Sequence, residues 1–467
     1  MQIAILNGIY TDESPDFRTS YPKNLIPVPK VNGISNGYLR PADGLIHFAD
    51  VPGLDRGGIN WNGKLYRVVG SLLIYIDSIG TVTVLGDVGD DRKQVTLTYS
   101  FDRLAIASNE NLFYYDGTTL TQVTDADLGI VTDLVWVDGY FMTTDGEYLV
   151  VTELNDPTQI DPLKYGSSEA SPDPIVALKK IKNEVYALNR YTIEVFDNVG
   201  GSTFPFSRIE GAQIDRGVIG THACTNYLET LAFLGSGRNE APAIWVGNNS
   251  VATKLSTREI EQILAEYTED ELSSVILESR VEKQHHFLYV HLEDKTLVYD
   301  GIASQALEQQ VWHILSSSLD GTSKYRARNF VWIYNKFIFG DPDEFKLGYL
   351  SDSTSKHFDD DIEWEFGTSI VYNESNGAIF HELELVALTG RIALESNPTI
   401  WTDYSTDGIT WSNKKPISAG KQGQRNKRLV WLQQGHMTNW RMQRFRGTSE
   451  THISIARLEA QLEPLFV

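Results

Sequence analysis

Short apolar runs separated by turns follow one another along most of the chain. From about residue 55 to 352, apolar and polar positions alternate with a period of two, and Gly, Asn and Asp punctuate the runs. The recurring unit is a strand, a turn and a second strand that ends in an aromatic residue and often Asp. It begins at residues 65, 104, 140, 185, 231, 287 and 337. A repeat of about 40 to 50 residues is typical of propeller blades. The pattern therefore predicts an all-β protein with a β-propeller over residues 51–352, built of six or seven irregular blades.

Radial stacking explains why such units would occur together. A single small blade cannot bury both of its faces, whereas stacked blades cover one another and shield their edges. The spacing between the units is uneven and no fixed blade signature is present. An irregular β-rich domain without closed symmetry is therefore the alternative to a propeller.

One segment, near residues 256–276, has helical rather than strand periodicity. Ser256 or Thr257 can cap a helix whose apolar residues share one face, and Thr268 with Glu271 reads as a second capping box. We predict one helical insertion here, on the outside of the array, and favour a connection between blades as its role.

The two ends of the chain differ from the repeating region. Residues 1–50 carry Pro27, Pro29 and Pro41 and predict an extended arm that crosses to a neighbour or wraps its own propeller. Residues 353–364 are polar and acidic, which indicates a linker. Residues 365–467 again alternate or run apolar between turns, and they predict an antiparallel β-sandwich.

The charge of the chain bears on its partners. With 62 acidic and 40 basic residues, the formal net charge is −22, which argues against a surface that holds nucleic acid through its phosphates. Residues 412–449 are the exception, with nine Lys or Arg and no Asp or Glu. We predict that this segment contacts an acidic partner; the alternative is a set of solvated strand ends. The predicted interaction residues are Lys421, Arg425, Lys427, Arg428, Arg441, Arg444 and Arg446.

Cysteine content and hydropathy indicate the cellular compartment in which the chain is made. Cys224 is the only cysteine, so an intrachain disulfide is excluded. The N-terminus lacks the basic start and long apolar run of a signal peptide, and no stretch approaches the length of a membrane span. We expect cytoplasmic synthesis and no membrane insertion.

The sharpest short motif is Ser405-Thr-Asp-Gly-Ile-Thr-Trp411, which resembles the Asp box of sialidases. Such boxes stabilise hairpins rather than catalyse, and this copy lies outside the predicted propeller. A sialidase-like glycoside hydrolase with paired carboxylates remains an alternative function. A glycan-binding or receptor-binding propeller without catalysis is a second alternative.

Other candidate sites have structural interpretations. His285, His286 and His291 lie on or near one strand, but zinc would need a third ligand and an open position. The acidic runs 341–344 and 359–361 lack the spacing and central Gly of a calcium loop. We therefore assign no catalytic, cofactor or metal residues.

Several motifs together resemble one protein family. They are Gly217-Val-Ile-Gly-Thr-His-Ala-Cys-Thr, Leu231-Ala-Phe-Leu-Gly, Pro242-Ala-Ile-Trp-Val-Gly, Lys254-Leu-Ser-Thr-Arg-Glu-Ile-Glu-Gln-Ile-Leu and Leu297-Val-Tyr-Asp300. In order and spacing they are similar to the packaged-DNA stabilisation proteins of short-tailed phages over residues 210–315. Looser similarity includes Gly37-Tyr-Leu-Arg40 and Arg428-Leu-Val-Trp431.

The resemblance implies a structural part of the virion tail rather than an enzyme. Members of this family act as tail accessory factors, or hubs: a hexameric ring extends the portal and its adaptor, closes the channel on packaged DNA and carries the needle and tailspikes. An acidic lumen would let DNA pass without specific binding. The first 50 residues depart most from the family pattern.

Overall fold

Strands dominate the computed structural model, which describes residues 1–6, 21–30, 34–154, 156–374 and 376–465. Within these residues, forty strands form nine sheets, and three short helices join some of them. The N-terminal segment contributes β1 (Gln2–Ile3), β2 (Leu25–Pro29), β3 (Gly37–Pro41) and β4 (Gly44–Asp50).

Seven antiparallel sheets of four strands follow, and each is one blade. Blade one contains β5 (Asp55–Trp61), β6 (Lys64–Val69), β7 (Leu72–Ile76) and β8 (Val82–Asp87). Blade two contains β9 (Thr96–Tyr99), β10 (Leu104–Ser108), β11 (Asn111–Tyr115) and β12 (Leu120–Gln122). Blade three contains β13 (Asp133–Val137), β14 (Tyr140–Thr144), β15 (Tyr148–Thr152) and β16 (Ile160–Ser167). Blade four contains β17 (Ile175–Ile181), β18 (Glu184–Asn189), β19 (Ile193–Asn198) and β20 (Phe206–Ile214).

The last three blades include the helices. Blade five contains β21 (Cys224–Tyr227), β22 (Thr230–Gly235), β23 (Ala243–Asn248) and β24 (Val251–Lys254), followed by α1 (Arg258–Leu264) and α2 (Glu269–Ser273). Blade six contains β25 (Ile276–Glu282), β26 (His285–His291), β27 (Thr296–Asp300), α3 (Gly301–Leu307) and β28 (Trp312–Leu315). Blade seven contains β29 (Arg328–Ile333), β30 (Lys336–Gly340), β31 (Lys346–Ser351) and the N-terminal strand β4.

Strand β4 closes the propeller. It pairs with β31 in an antiparallel register from Gly44 opposite Ser351 to Asp50 opposite Lys346. The outermost strand of blade seven thus comes from before blade one in sequence. Because β4 is followed in the chain by blade one, its pairing with β31 connects the last blade to the first and closes the ring.

The predicted repeat units are the middle hairpins of the seven blades. Each onset lies within the second strand of a blade, at most two residues after its start, and this strand is the most apolar part of the unit. Two-residue turns such as Asn62-Gly63 and Asp138-Gly139 have positive φ at both positions, as tight hairpins require. The structure therefore confirms the propeller and gives seven blades.

The helical insertion is also confirmed. Thr257 caps α1 through its hydroxyl, and Thr268 with Glu271 forms a capping box at α2. Ile260 and Leu264 are buried against the core shared by blades four to six. Helix α3 is an addition that the sequence did not predict: Asp300, read as a strand end, caps it by accepting a hydrogen bond from the Ala303 N–H.

The C-terminal residues form a β-sandwich. One sheet contains β32 (Glu363–Gly367), β33 (Val371–Tyr372), β35 (Thr399–Ser405), β36 (Lys415–Ser418) and β39 (Trp440–Thr448). The other contains β34 (Ala378–Leu388), β37 (Leu429–Leu432), β38 (His436–Met437) and β40 (Ser454–Pro464), together with β1, β2 and β3. The second sheet is therefore completed by strands from the opposite end of the chain.

The structure differs here from the predicted N-terminal arm. Strands β2 and β3 form a hairpin that extends the sandwich sheet through β40, and β4 belongs to blade seven. The prolines that suggested an arm, Pro27, Pro29 and Pro41, lie in these short strands. Residues 7–20 and 31–33 of the predicted arm lie outside the described residues. The predicted linker, residues 353–364, contains irregular chain and the first residues of β32.

A short N-terminal segment joins the two domains. The Asn24 N–H donates to the Ile314 carbonyl in blade six, and the Lys23 N–H donates to the Glu365 carbonyl in the sandwich. The Asn24 side-chain amide donates to the Ser316 and Glu363 carbonyls at 3.0 and 2.7 Å. The sandwich therefore lies against the outer side of blades six and seven, where Ile26 and Leu45 share a core with Phe287 and Phe339.

Candidate interaction surface

The predicted interaction residues divide into two groups in the structure. Lys421, Arg425, Lys427 and Arg428 lie on the exposed loop between β36 and β37. Among the described residues, the first three take part in no salt bridge. Arg428 is also exposed, but its Nε donates to Glu384 at 2.8 Å and its guanidinium lies 3.3 Å from Glu382. The loop thus presents three free cations and one paired cation.

The other three predicted residues lie on β39, where Arg441 is buried and Arg444 and Arg446 are partly buried. Arg441 is completely buried, with its guanidinium 4.1 Å from the Phe380 ring centroid and 3.7 Å from that of Tyr404. Burial lowers the pKa of Arg441 to about 10. Arg441 donates to the Gln434 carbonyl at 2.6 Å, so its donors are used inside the sandwich. It is not accessible to a partner in this fold.

Arg444 and Arg446 are held by carboxylates of neighbouring strands. Arg444 makes a bidentate pair with Asp403 at 2.9 and 2.7 Å, and it lies 3.8 Å from the Trp411 ring centroid. Arg446 pairs with Glu365. These contacts join β39 to its neighbours β35 and β32 and so stabilise the sheet. Sequence alone identified the basic segment but could not separate loop cations from these sheet cations, because the acids that pair with them come from distant strands.

The Asp-box motif forms a hairpin turn. Asp407 Oδ1 accepts hydrogen bonds from the Ile409 and Thr410 N–H groups at 3.0 and 2.8 Å. A hydrogen bond from the Thr410 hydroxyl, together with these backbone hydrogen bonds, holds the pKa of Asp407 well below its usual range. Trp411 follows the turn and covers Arg444. The carboxylate is therefore used in local structure.

The histidine and aspartate clusters are used in the same way. His285 bonds to Asp300 and stacks on Phe287, and His291 lies 3.0 Å from Glu278. Asp341 accepts from two turn N–H groups and from Arg326. In the part of the chain that the structure describes, no group of three or more His, Cys, Asp or Glu residues is arranged to hold a metal ion.

The axis of the propeller is bridged by polar side chains. His222 precedes the inner strand of blade five, and its Nε2 lies 3.2 Å from the carbonyl oxygen of Gln94, which precedes the inner strand of blade two. The Gln94 side-chain amide also contacts the Asn329 side-chain amide in blade seven. Two cavities, of about 240 and 650 Å³, lie beside these contacts. The axis is therefore narrow and crossed by hydrogen bonds.

Two acids near the axis join successive inner strands. Asp133 accepts from Thr96 Oγ1 at 2.6 Å and from the Leu178 N–H at 2.8 Å, which ties blade three to blades two and four. Glu278 accepts from the Asn329 and Phe330 N–H groups at 2.7 and 2.8 Å, which ties blade six to blade seven. The sequence analysis did not single out these residues. Their signal in the sequence is an acidic or amide side chain that interrupts the apolar run of an inner strand.

Comparison with known proteins addresses the whole chain. Residues 1–355 match the family model described as Bacteriophage P22 Gp10, beta-propeller, and residues 363–463 match Bacteriophage P22 Gp10, beta-sandwich. The chain belongs to the P22 Gp10 family of phage tail hubs. It is 25% identical over 484 aligned positions to the tail hub protein gp10 of Salmonella phage P22, with 99% of each chain covered. The protein is accordingly a component of the virion tail, and the family resemblance found in the sequence is confirmed.

Solved structures with some likeness are more distant. The WD40 domain of Neurospora crassa Pan2 is 9% identical, with 66% of this chain and 96% of that one covered and a TM-score of 0.42. The N-terminal domain of Nup159 is 8% identical, with 72% and 99% covered and a TM-score of 0.42. Across the described residues, the search for helices long and apolar enough to span a membrane finds none.

Proposed function

We propose that this chain forms a ring, a hexamer as in the family resemblance, beneath the portal and adaptor of a short-tailed phage. The ring closes the channel to retain packaged DNA, later forms part of the ejection conduit, and attaches the needle and tailspikes. The proposal is supported by the match of both domains to one tail hub family, with 99% coverage of the P22 relative.

The closed propeller axis supports the proposal that several copies of the chain form a ring around the channel. Duplex DNA has a major groove alone about 12 Å wide. Cavities of about 240 and 650 Å³ beside the His222–Gln94 contact are too small for such a duplex. A conduit made from this chain must therefore run between several copies rather than through one propeller.

The charge of the chain suits a passage for DNA. A net charge of −22 repels phosphates, so DNA that slides past the ring makes few salt-dependent contacts. We infer that DNA passes without specific binding. The exposed cations Lys421, Arg425 and Lys427 would then serve protein contacts rather than DNA contacts.

We infer a structural role without catalysis. The Asp407 carboxylate, which suggested a sialidase-like enzyme, is occupied by hydrogen bonds of its own turn. No observation among the described residues favours glycoside hydrolysis or glycan binding over the hub. Sialidase and glycan-binding assays test both alternatives directly.

DNA retention tests the proposal. Particles of the same phage that are filled with DNA but lack this chain should lose their DNA, as measured by nuclease-accessible DNA over time. Addition of the purified chain should stop the loss, whereas bovine serum albumin at equal mass should not. Equal DNA loss with and without the chain would contradict the proposed role in closing the channel.

A further inference from the structure

Blades two and three hold the most one-sided charge in the propeller. Residues 104–163 contain eleven Asp or Glu and no Lys or Arg. The acids are Glu110, Asp116, Asp125, Asp127, Asp133, Asp138, Asp145, Glu147, Glu153, Asp156 and Asp161. Asp133 is buried at the axis, whereas most of the others lie on turns at the surface.

Little local positive charge compensates this surface. Lys164, the first base after the acidic stretch, pairs with Glu153 at 2.6 Å. Arg103, the last base before it, pairs with Asp102 at 2.8 Å. Asp127 and Glu147 are exposed, and among the described residues no salt bridge uses either of them. We call the exposed surface of blade three the acidic end.

Exposed apolar side chains accompany these acids. Leu163 on the outer strand β16 is 76% exposed, and Leu154 on the preceding turn is 53% exposed. Tyr148 and Tyr165 form a partly exposed ring pair with centroids 5.9 Å apart on the same blade. Apolar anchors beside charged groups are typical of protein interfaces.

The sandwich has the opposite character on its exposed loops. The loop with Lys421, Arg425 and Lys427 is joined to the loop after β34, because Thr389 Oγ1 donates to the Gln424 carbonyl at 2.6 Å. Arg391 adds a fourth exposed cation on that second loop. Leu394, 74% exposed, lies on it as well. We call these two loops the basic end.

The two ends of one molecule are separated. The basic end lies beside blade seven, because Arg391 and Arg425 line a cavity with Asp352 and Lys356, which follow β31. The sandwich rests on blades six and seven, through the Asn24 contacts and through the Gly44 N–H, which donates to the Thr354 carbonyl. In the ring of seven blades, blades four and five separate blade three from blade six, and blades one and two separate it from blade seven. Blade three is therefore as far from the sandwich as a blade can be, and the two ends of one chain cannot pair with each other.

We propose that the basic end of one copy docks on the acidic end of a second copy, so that copies join head to tail. This inference rests on the proposed ring. Two different, separated surfaces of one subunit make a heterologous interface, which closes into a ring when the rotation permits. The complementary charge selects the correct neighbour, and the apolar side chains at both ends supply buried area.

Charge reversal at each end tests this pairing. The first variant is K421E/R425E at the basic end, and the second is D127K/E147K at the acidic end. Each places like charges across the proposed interface. We expect incorporation into particles that lack the chain to fall at least tenfold for each variant alone. K64E, which reverses an exposed lysine of blade one, outside both ends, should incorporate like the unaltered chain.

The decisive experiment restores opposite charges at the two ends. The quadruple variant K421E/R425E/D127K/E147K should recover incorporation, because its ends are again complementary. Circular dichroism and thermal unfolding of each variant confirm that it is folded. Normal incorporation of both double variants, or a folded quadruple variant that stays defective, would overturn the proposal. A defect confined to K421E/R425E would assign the basic end to a different protein and would also overturn it.

Failure of the ring itself gives a different result. If the unaltered chain does not incorporate into the particles, the proposed function fails before any variant is compared. If it incorporates in fixed stoichiometry and the charge variants do so equally, the hub stands and only the head-to-tail pairing is wrong. The two claims are thus tested separately by one set of samples.

Discussion

His222 Nε2 lies 3.2 Å from the carbonyl oxygen of Gln94, and this contact spans the propeller axis from blade five to blade two. Strand-to-strand contacts between blades run mainly between nearest neighbours around the ring. The contact therefore does two things: it closes the axis, and it links blades that share no sheet. Both consequences can be tested.

Removal of the His222 side chain should weaken the propeller without affecting DNA retention. H222A deletes one hydrogen bond across the axis, which contributes about 0.5–1.5 kcal/mol. Denaturant unfolding should show a loss of this order, and H47A, at an exposed histidine, should show none. Particles carrying H222A should retain DNA, because the proposed conduit lies between chains. Leakage from H222A particles would mean that DNA passes through the axis.

Loss of Asp133 should destabilise the protein more strongly. Its carboxylate is buried, accepts hydrogen bonds from Thr96 and Leu178, and lies 3.5 Å from Lys179 Nζ. D133A leaves buried donors and a lysine without their partner, which costs about 3–5 kcal/mol. E147A on the same blade is a matched control, because Glu147 is exposed. Similar unfolding midpoints for D133A and E147A would refute the role of Asp133 in joining three blades.

The basic segment should show two kinds of behaviour. R444A removes a bidentate pair with the buried Asp403 and should lower the free energy of unfolding by about 3–5 kcal/mol. R428A removes an exposed, solvent-screened pair and should lower it far less. Urea unfolding of the two variants measures the difference. Equal destabilisation would show that the division into loop and sheet cations is mistaken.

His357 should make stability depend on pH. Burial, with a smaller contribution from Arg326, lowers the pKa of His357 to about 3, whereas an ordinary histidine has a pKa near 6.5. The unfolded chain therefore binds a proton at a pH where the folded chain does not. Stability from this group is complete above pH 6.5 and falls as the pH drops from 6.5 toward 3, by about 1.4 kcal/mol per pH unit.

A variant that cannot titrate isolates this effect. His357 Nδ1 lies 2.7 Å from Ser317 Oγ, and H357N keeps a polar group at this position. Between pH 6.5 and 5, the unfolding free energy of H357N should fall less steeply with pH than that of the unaltered chain. The difference between the two slopes should correspond to the binding of about one proton on unfolding. Parallel profiles would show that His357 does not contribute to the acid sensitivity.

The elements of the fold could be predicted from the sequence wherever residues close together in the chain specify them. The middle hairpins of the blades are apolar, alternate with period two and end in turn residues, so all seven were visible. Helices α1 and α2 were visible through Thr257, Thr268 and Glu271, which cap them. Helix α3 was missed because Asp300 and Gly301 also read as the turn after a strand.

Long-range pairing could not be predicted. Strand β4 is separated by about three hundred residues from its partner β31, and no pattern within Gly44–Asp50 specifies that neighbour. The same holds for Asp403 with Arg444 and for His222 with Gln94, whose members come from different strands or blades. Partner choice in these cases depends on the closed ring and the sandwich, which exist only in three dimensions.

The mass of the assembled complex tests the central claim most directly. Light scattering should be measured for the purified chain, and then for the chain mixed with portal and adaptor rings of the same phage. The account predicts that the chain joins those rings in a fixed ratio of six copies per ring. A mixture in which the chain stays separate, or binds as a single copy with its propeller over the channel, would contradict it.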